Sequence, residues 1–321
     1  MPPERYDLAG TLGALALIQG DPTLAVTARQ VWWSTRTPAG PGTLQLARVG
    51  GELVATGYGL GAAWLVEHSD AIAGLRDDVT GFAELAARHP LVRRLAREHS
   101  GLRIPTTGRL FHHLVPAILG QKVTGKEAHQ GYVGVLRHFA EPVPGPDSAA
   151  RPLPSAAPRL STGPGPSAGP DDAPVRLRLP PEPATVAATP YWVFHPFGIE
   201  QRRADTLRRA AARVSALEAS IDSAQATQRL TALTGIGPWT AAEVVRVCFG
   251  DADAVSVGDY HIKNTVGYAL AGEARATDER MLELLEPFRG HRGRVCRLLA
   301  LAAIAAPRFG PRFAPRSFAR F

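Results

Sequence analysis

The stretch Leu-Thr-Gly-Ile-Gly-Pro-Trp-Thr (Leu233–Thr240) and the carboxylate of Asp259, 22 residues after Gly237, are the parts of this chain best suited to chemistry. Gly235 and Gly237 allow a tight turn with positive φ and the close approach of another chain. Pro238 fits the first turn of a following helix, where its missing N–H is no loss. The free N–H groups at that helix start carry partial positive charge and suit a phosphate. Asp259 precedes helical spacing at Ile262, Val266 and Leu270. The simplest role for such an aspartate is helix capping. A carboxylate beside a helix N-terminus is also favoured in its charged form, which makes it a poor general acid. It is then a good stabiliser of a neighbouring cation, or a base for water. Asp251 and Asp253 are expected to be solvated loop residues.

The elements around these residues follow from pattern. Ser223–Leu233 reads as a short helix. After the turn, Ala241, Val244, Val245 and Cys248 fall at i, i+3, i+4 and i+7, one apolar face of a second helix. Upstream, Phe111, Leu114, Val115, Ile118 and Leu119 define a helical face that Gly120 ends, with Pro116 inside it. Thr-Gly-Lys-Glu (Thr124–Glu127) matches a capping box and opens another helix. Gln121, Lys122 and Val123 are then a tight turn between helices. Residues 20–60 read as strands: Gly50-Gly51 supplies a hairpin turn, and Trp32 and Trp33 point to opposite faces, so at most one is core.

Lys and Arg number 36 against 29 Asp and Glu, a net charge of +7 that favours polyanionic partners. The two cysteines, Cys248 and Cys296, are too few for a disulfide framework or a cysteine-based zinc or iron–sulfur site. No apolar run is long enough to span a bilayer, and Met-Pro-Pro-Glu-Arg does not read as a signal peptide, so a cytoplasmic, nucleoid-associated protein is expected. Residues 141–175, rich in Pro, Ser, Gly and Ala, cannot form a core and read as a disordered insertion. The C-terminal Pro-Arg-Phe-Gly-Pro-Arg-Phe tail reads as packed or as a nucleic-acid contact.

Leu-Thr-Gly-Ile-Gly-Pro-Trp-Thr-Ala with Asp259 resembles the helix-hairpin-helix DNA glycosylase superfamily. Ala-Ile-Leu-Gly-Gln-Lys-Val-Thr (Ala117–Thr124) resembles the segment by which that family fills the gap left by an extruded nucleotide. The strand-rich N-terminus fits the AlkA-like 3-methyladenine glycosylase II branch. The resemblance implies an α+β fold with a small antiparallel sheet domain (1–88). A mostly helical region follows, in two parts (89–140 and 176–321) separated by the insertion. It implies a monomeric, monofunctional glycosylase that hydrolyses the N-glycosidic bond of alkylated purines in duplex DNA. Asp259 would be the catalytic residue. Trp239, Glu243, Tyr260 and Phe288 would hold the base, although Glu243 and Trp239 also admit solvated and core-packing roles. Gln121, Lys122, Thr234, Gly235, Ile236, Gly237, Thr240, Arg289 and Arg292 would meet DNA, Lys122 also admitting a solvated role. Relatives that cut the strand carry a lysine where Trp239 stands, and an indole forms no Schiff base. No cofactor is required; a monovalent cation at the hairpin, held by main-chain carbonyls, is common in the family. A non-catalytic DNA-binding protein and a glycosylase for oxidised or deaminated bases are the alternatives.

Overall fold

A computed structural model describes residues 5–146 and 177–307. Helix α1 (Leu8–Leu12), capped by Asp7, leads into four strands: β1 (Leu24–Val26), β2 (Gln30–Thr37), β3 (Gly40–Val49) and β4 (Glu52–Gly59). They form one antiparallel sheet in the order β1-β2-β3-β4. Val49 pairs with Glu52, and between them Gly50 and Gly51 take φ of +58° and +86°, the two positive angles a two-residue hairpin turn needs. Alternation sorts the tryptophans as expected. Trp33 is buried, whereas Trp32 lies on the other face and stacks on Tyr58 with ring centroids 5.6 Å apart. Trp33, Leu44, Leu46 and Leu53 of the sheet pack with Leu8, Leu12 and Leu15, and with Leu65 of α2 (Ala62–Glu67) and Ile72 of α3 (Ser69–Ile72).

The rest is helical. α4 (Phe82–Ala86) and α5 (Pro90–Glu98) precede α6 (Leu110–Leu119) and α7 (Gly125–His138). After the undescribed segment come α8 (Pro183–Ala188), α9 (Gln201–Ala211), α10 (Val214–Glu218), α11 (Ser223–Thr231), α12 (Pro238–Cys248), α13 (Ile262–Ala271), α14 (Asp278–Leu285) and α15 (Arg292–Leu301). The spacing suggested one apolar face for α6, but all ten of its residues are buried. It runs through the middle of the helical region, against α7, α9, α10 and α12, so its two histidines are buried as well. His112 accepts from Trp33 Nε1 through Nε2 (3.2 Å), which leaves Nδ1 to donate to Thr35 Oγ1 (2.9 Å). Burial pushes its pKa down to about 3, so it stays neutral and joins α6 to the sheet.

Two cores fill the helical region. One surrounds α6 and includes Tyr132, Phe194, Leu207, Leu230 and Val244. The other joins Phe82, Ala86, Val92 and Leu95 to Val266, Met281, Leu285, Phe288, Val295 and Leu299. The boundary expected at residue 88 therefore falls between two helices that share a core with the C-terminal helices. The start of the 141–175 stretch and the chain after it are tied to the sheet: Arg36 pairs with Glu141 and donates to Pro180 O, and Ser34 donates to Arg178 O. Residues 147–176, which include most of that stretch, and 308–321, the Arg/Phe tail, lie outside the described residues.

Candidate active site

Three loops of different origin meet: the turn after α6, the hairpin between α11 and α12, and the loop from α12 to α13. The first is set by its flanks. Gly120 ends α6, and buried Arg203 donates to Leu119 O at 2.7 Å, closing that helix end. On the other side Thr124 Oγ1 accepts from Glu127 N while the Glu127 carboxylate accepts from Thr124 N, the reciprocal capping box the sequence suggests. Between them Lys122 takes φ +56°, a left-handed conformation uncommon outside glycine, and is exposed. Gln121 points the other way. Its Nε2 donates to Gly235 O (3.0 Å) and to Thr240 Oγ1 (2.8 Å), so its amide clasps the hairpin.

The hairpin's two glycines are not alike. Gly235 has φ +98°, and a Cβ there would sit 2.1 Å from Thr206 Oγ1, so both conformation and space demand glycine. Gly237 was expected to share the positive φ but is extended, with φ −108° and ψ −179°, because the proline after it disfavours a helical conformation. A Cβ on Gly237 would meet nothing within 4 Å, so the space before the start of α12 is open. Pro238 occupies the first helical position, as expected. Among the described residues the N–H groups of Gly237, Trp239 and Thr240 meet no acceptor. Thr234 is exposed and its carbonyl accepts from Arg209 (3.0 Å). Ile236 is buried in the α6 core, and Thr240 is buried, its hydroxyl accepting from Gln121.

Asp259 stands in the third loop, half-buried. Oδ1 accepts from His261 N (2.7 Å) and Ile262 N (2.9 Å), which caps the start of α13. Oδ2 accepts from Trp239 Nε1 at 3.0 Å. One side chain thus holds the start of α13 through Oδ1 and meets the Trp239 indole through Oδ2. The loop is anchored beneath it. Glu243 is buried, pairs with Arg246 (2.8 Å) and accepts from Ser256 Oγ, while Asp259 N donates to Ser256 O (3.1 Å). Glu243 therefore faces inward and holds the loop instead of standing in solvent. Asp253, expected to be solvated, accepts from Arg292 through both Nε (2.9 Å) and its terminal nitrogen, which holds its carboxyl below the ordinary range. That pairing also occupies the Arg292 side chain.

The Trp239 ring lines a cleft of about 500 Å³ together with Leu17, Ile18, Gln19, Pro116, Val123, Lys126 and His129. Tyr260 stands exposed beside Asp259, its ring edge-on to His261. Phe288 is buried in the C-terminal core and Arg289 pairs with Glu286 on the surface; neither lines this cleft. The structure thus gathers Gln121, Lys122, Thr234, Gly235, Gly237, Trp239, Thr240 and Asp259, and leaves Phe288, Arg289 and Arg292 outside. Leu17–Gln19, His129, Arg203 and Arg209 carry no motif; only the fold brings them here, and the capping box that contains Lys126 did not place it in the cleft. Among the described residues no group of three metal-ligating side chains exists, and no helix is long and apolar enough to cross a membrane.

No family model matches the chain, and no curated protein does. Solved structures do. The 3-methyladenine DNA-glycosylase of Archaeoglobus fulgidus superposes with a TM-score of 0.69 at 14% identity, over 93% of this chain and 97% of that one. The Clostridium acetobutylicum 8-oxoguanine glycosylase/lyase, in complex with double-stranded DNA containing cytosine opposite 8-oxoguanine, gives 0.54 at 12% over 87% and 97%. The Schizosaccharomyces pombe 3-methyladenine DNA glycosylase, in complex with abasic DNA, gives 0.50 at 16% over 70% and 97%. The chain has the α+β fold these DNA glycosylases share.

Proposed function

We propose that the protein is a monofunctional DNA glycosylase that hydrolyses the N-glycosidic bond of alkylated purines, of the 3-methyladenine type, in duplex DNA. The observation that carries this reading is the hydrogen bond from Trp239 Nε1 to Asp259 Oδ2, which sets a carboxylate beside the aromatic wall of a base-sized cleft.

Breaking the bond between base and deoxyribose builds oxocarbenium character on the sugar. A fixed carboxylate next to that cation lowers the barrier, because its donors are already oriented when the charge appears. Asp259, held by three N–H groups, has that fixity, and it guides the water that completes hydrolysis. The unpaired N–H groups at Gly237, Trp239 and Thr240 suit a DNA phosphate. Lys122, exposed at the tip of its turn, fills the gap in the duplex with its alkyl stem while its ammonium meets a phosphate. The Trp239 face attracts a cationic N-alkylpurine, and the charge on that base makes it a good leaving group without a strong acid. A lyase step needs an amine where Trp239 stands. The Thr234 and Gly235 carbonyls each accept one hydrogen bond, from Arg209 and Gln121, which leaves each a second lone pair; main-chain carbonyls of this turn would hold a monovalent cation, and no step runs through one. The protein acts as a monomer on damaged duplex DNA.

The test is incubation with methylated duplex DNA and chromatography of the released bases, with Asp259→Asn in parallel and borohydride trapping as a third arm. Release by wild type, loss in the variant and no trapped adduct are expected. A trapped adduct would favour an oxidised-base lyase; identical behaviour of both proteins would favour a non-catalytic DNA-binding protein.

A further inference from the structure

The cleft walled by Trp239 is apolar except for Gln19, Lys126 and His129. These three differ in what they offer a ligand. Lys126 is a donor only. Gln19 is exposed, and among the described residues its side-chain amide has no hydrogen-bond partner, so it imposes no direction. His129 is fixed: its Nδ1 lies 3.0 Å from Gln19 O. A carbonyl oxygen only accepts, so Nδ1 carries the proton, and in the neutral ring the lone pair is on Nε2. The ring is further seated against Gly20, whose own Cβ would come within 3.3 Å of it; with φ +73° that position is suited to glycine on both counts. His129 Nε2 has no partner among the described residues and is not among the buried polar atoms left unpaired. His129 thus brings an acceptor without a protein partner to a cleft that Trp239 also lines.

Resting on the glycosylase reading above, we infer that His129 is a specificity-determining residue that accepts a hydrogen bond from the exocyclic amino group of a flipped alkyladenine and so selects it over alkylguanine. The chemistry is complementary. Adenine carries a donor at C6, whereas guanine carries a carbonyl oxygen there, and two lone pairs facing each other leave both groups unsatisfied. The cleft, at about 500 Å³, falls in the range of ligand pockets and has room for a purine lying on Trp239.

The test uses the full chain on duplex DNA carrying 3-methyladenine or 7-methylguanine, at pH 8. Single-turnover release by wild type and by His129→Leu is measured, each rate divided by spontaneous depurination, and thermal melting confirms that the variant folds. The expected result is that the adenine-to-guanine rate ratio falls about tenfold or more in His129→Leu. His129→Gln, whose amide offers either an acceptor or a donor, should fall between. An unchanged ratio with both bases still released would overturn the role of His129 and leave the glycosylase reading standing. Release of neither base by wild type would overturn both.

Discussion

Replacing Trp239 by phenylalanine separates the two tasks assigned to that side chain. Phenylalanine keeps an aromatic ring at this position but removes the N–H that meets Asp259 Oδ2 at 3.0 Å. The carboxylate keeps its two backbone donors, both on Oδ1, while Oδ2 loses its only partner among the described residues. A hydrogen bond to a charged group contributes about 1.5–3 kcal/mol. At about 1.4 kcal/mol per tenfold in rate, that bounds the loss between roughly ten- and a hundredfold. The lower end is expected, because Oδ1 still fixes the plane of the carboxylate. The assay is single-turnover release of 3-methyladenine at saturating enzyme, with duplex affinity measured by fluorescence anisotropy. A rate within twofold of wild type, at unchanged affinity, would show that the indole N–H does not orient the Asp259 carboxylate for base release.

Other substitutions test the parts that present the site. Gly235→Ala should destabilise the protein by about 1–3 kcal/mol in thermal or urea melts, from left-handed strain and contact with Thr206. Gly237→Ala, extended and facing open space, should leave stability nearly unchanged yet weaken duplex binding, since its Cβ stands where a phosphate approaches. Lys122→Ala should weaken binding and lower the slope of log affinity against log salt by about 1, read from titrations at several salt concentrations. His112 sets a pH dependence. Its folded pKa of about 3 lies below the ordinary 6.5, so as pH falls below 6.5 the unfolded chain takes up a proton that the folded chain refuses. Its contribution to stability is therefore full above about 6.5 and lost progressively below. Between pH 7 and 5 the stability gap between wild type and His112→Gln should narrow by about 2 kcal/mol, measured by urea unfolding at both pH values.

Local features were legible in the residues themselves. The capping box at Thr124–Glu127, the Gly50-Gly51 hairpin, the sorting of Trp32 from Trp33 and the apolar face of α12 each depend on neighbours within a few positions. Asp259 does accept from N–H groups at the start of α13, as the sequence suggested, but from two residues ahead of the N-cap position, which is His261. The extended conformation of Gly237 was available too, since a residue before proline is pushed out of the helical region. Features that depend on distant partners were not legible. Nothing near Gln121 announces that its amide reaches Gly235, 114 residues away. Arg292 and Asp253 are 39 positions apart, and their pairing puts an expected solvated loop residue into an ion pair. Glu243 has one foreseeable partner, Arg246 at i+3, but its burial follows from Ser256 on another loop. The residues that line the cleft with Trp239 come from the N-terminal segment and from α6 and α7, and carry no common signature.

On the proposed reading, Asp259 acts on the sugar and does not merely hold the start of α13. Single-turnover base release and duplex affinity should be measured together for wild type and Asp259→Asn, on the same methylated duplex. The amide still offers an oxygen to the His261 and Ile262 N–H groups, so the fold and the cap persist. Affinity within about threefold of wild type, with release slowed by at least about a thousandfold, is the expected result. Base release at the wild-type rate by the asparagine variant would contradict it.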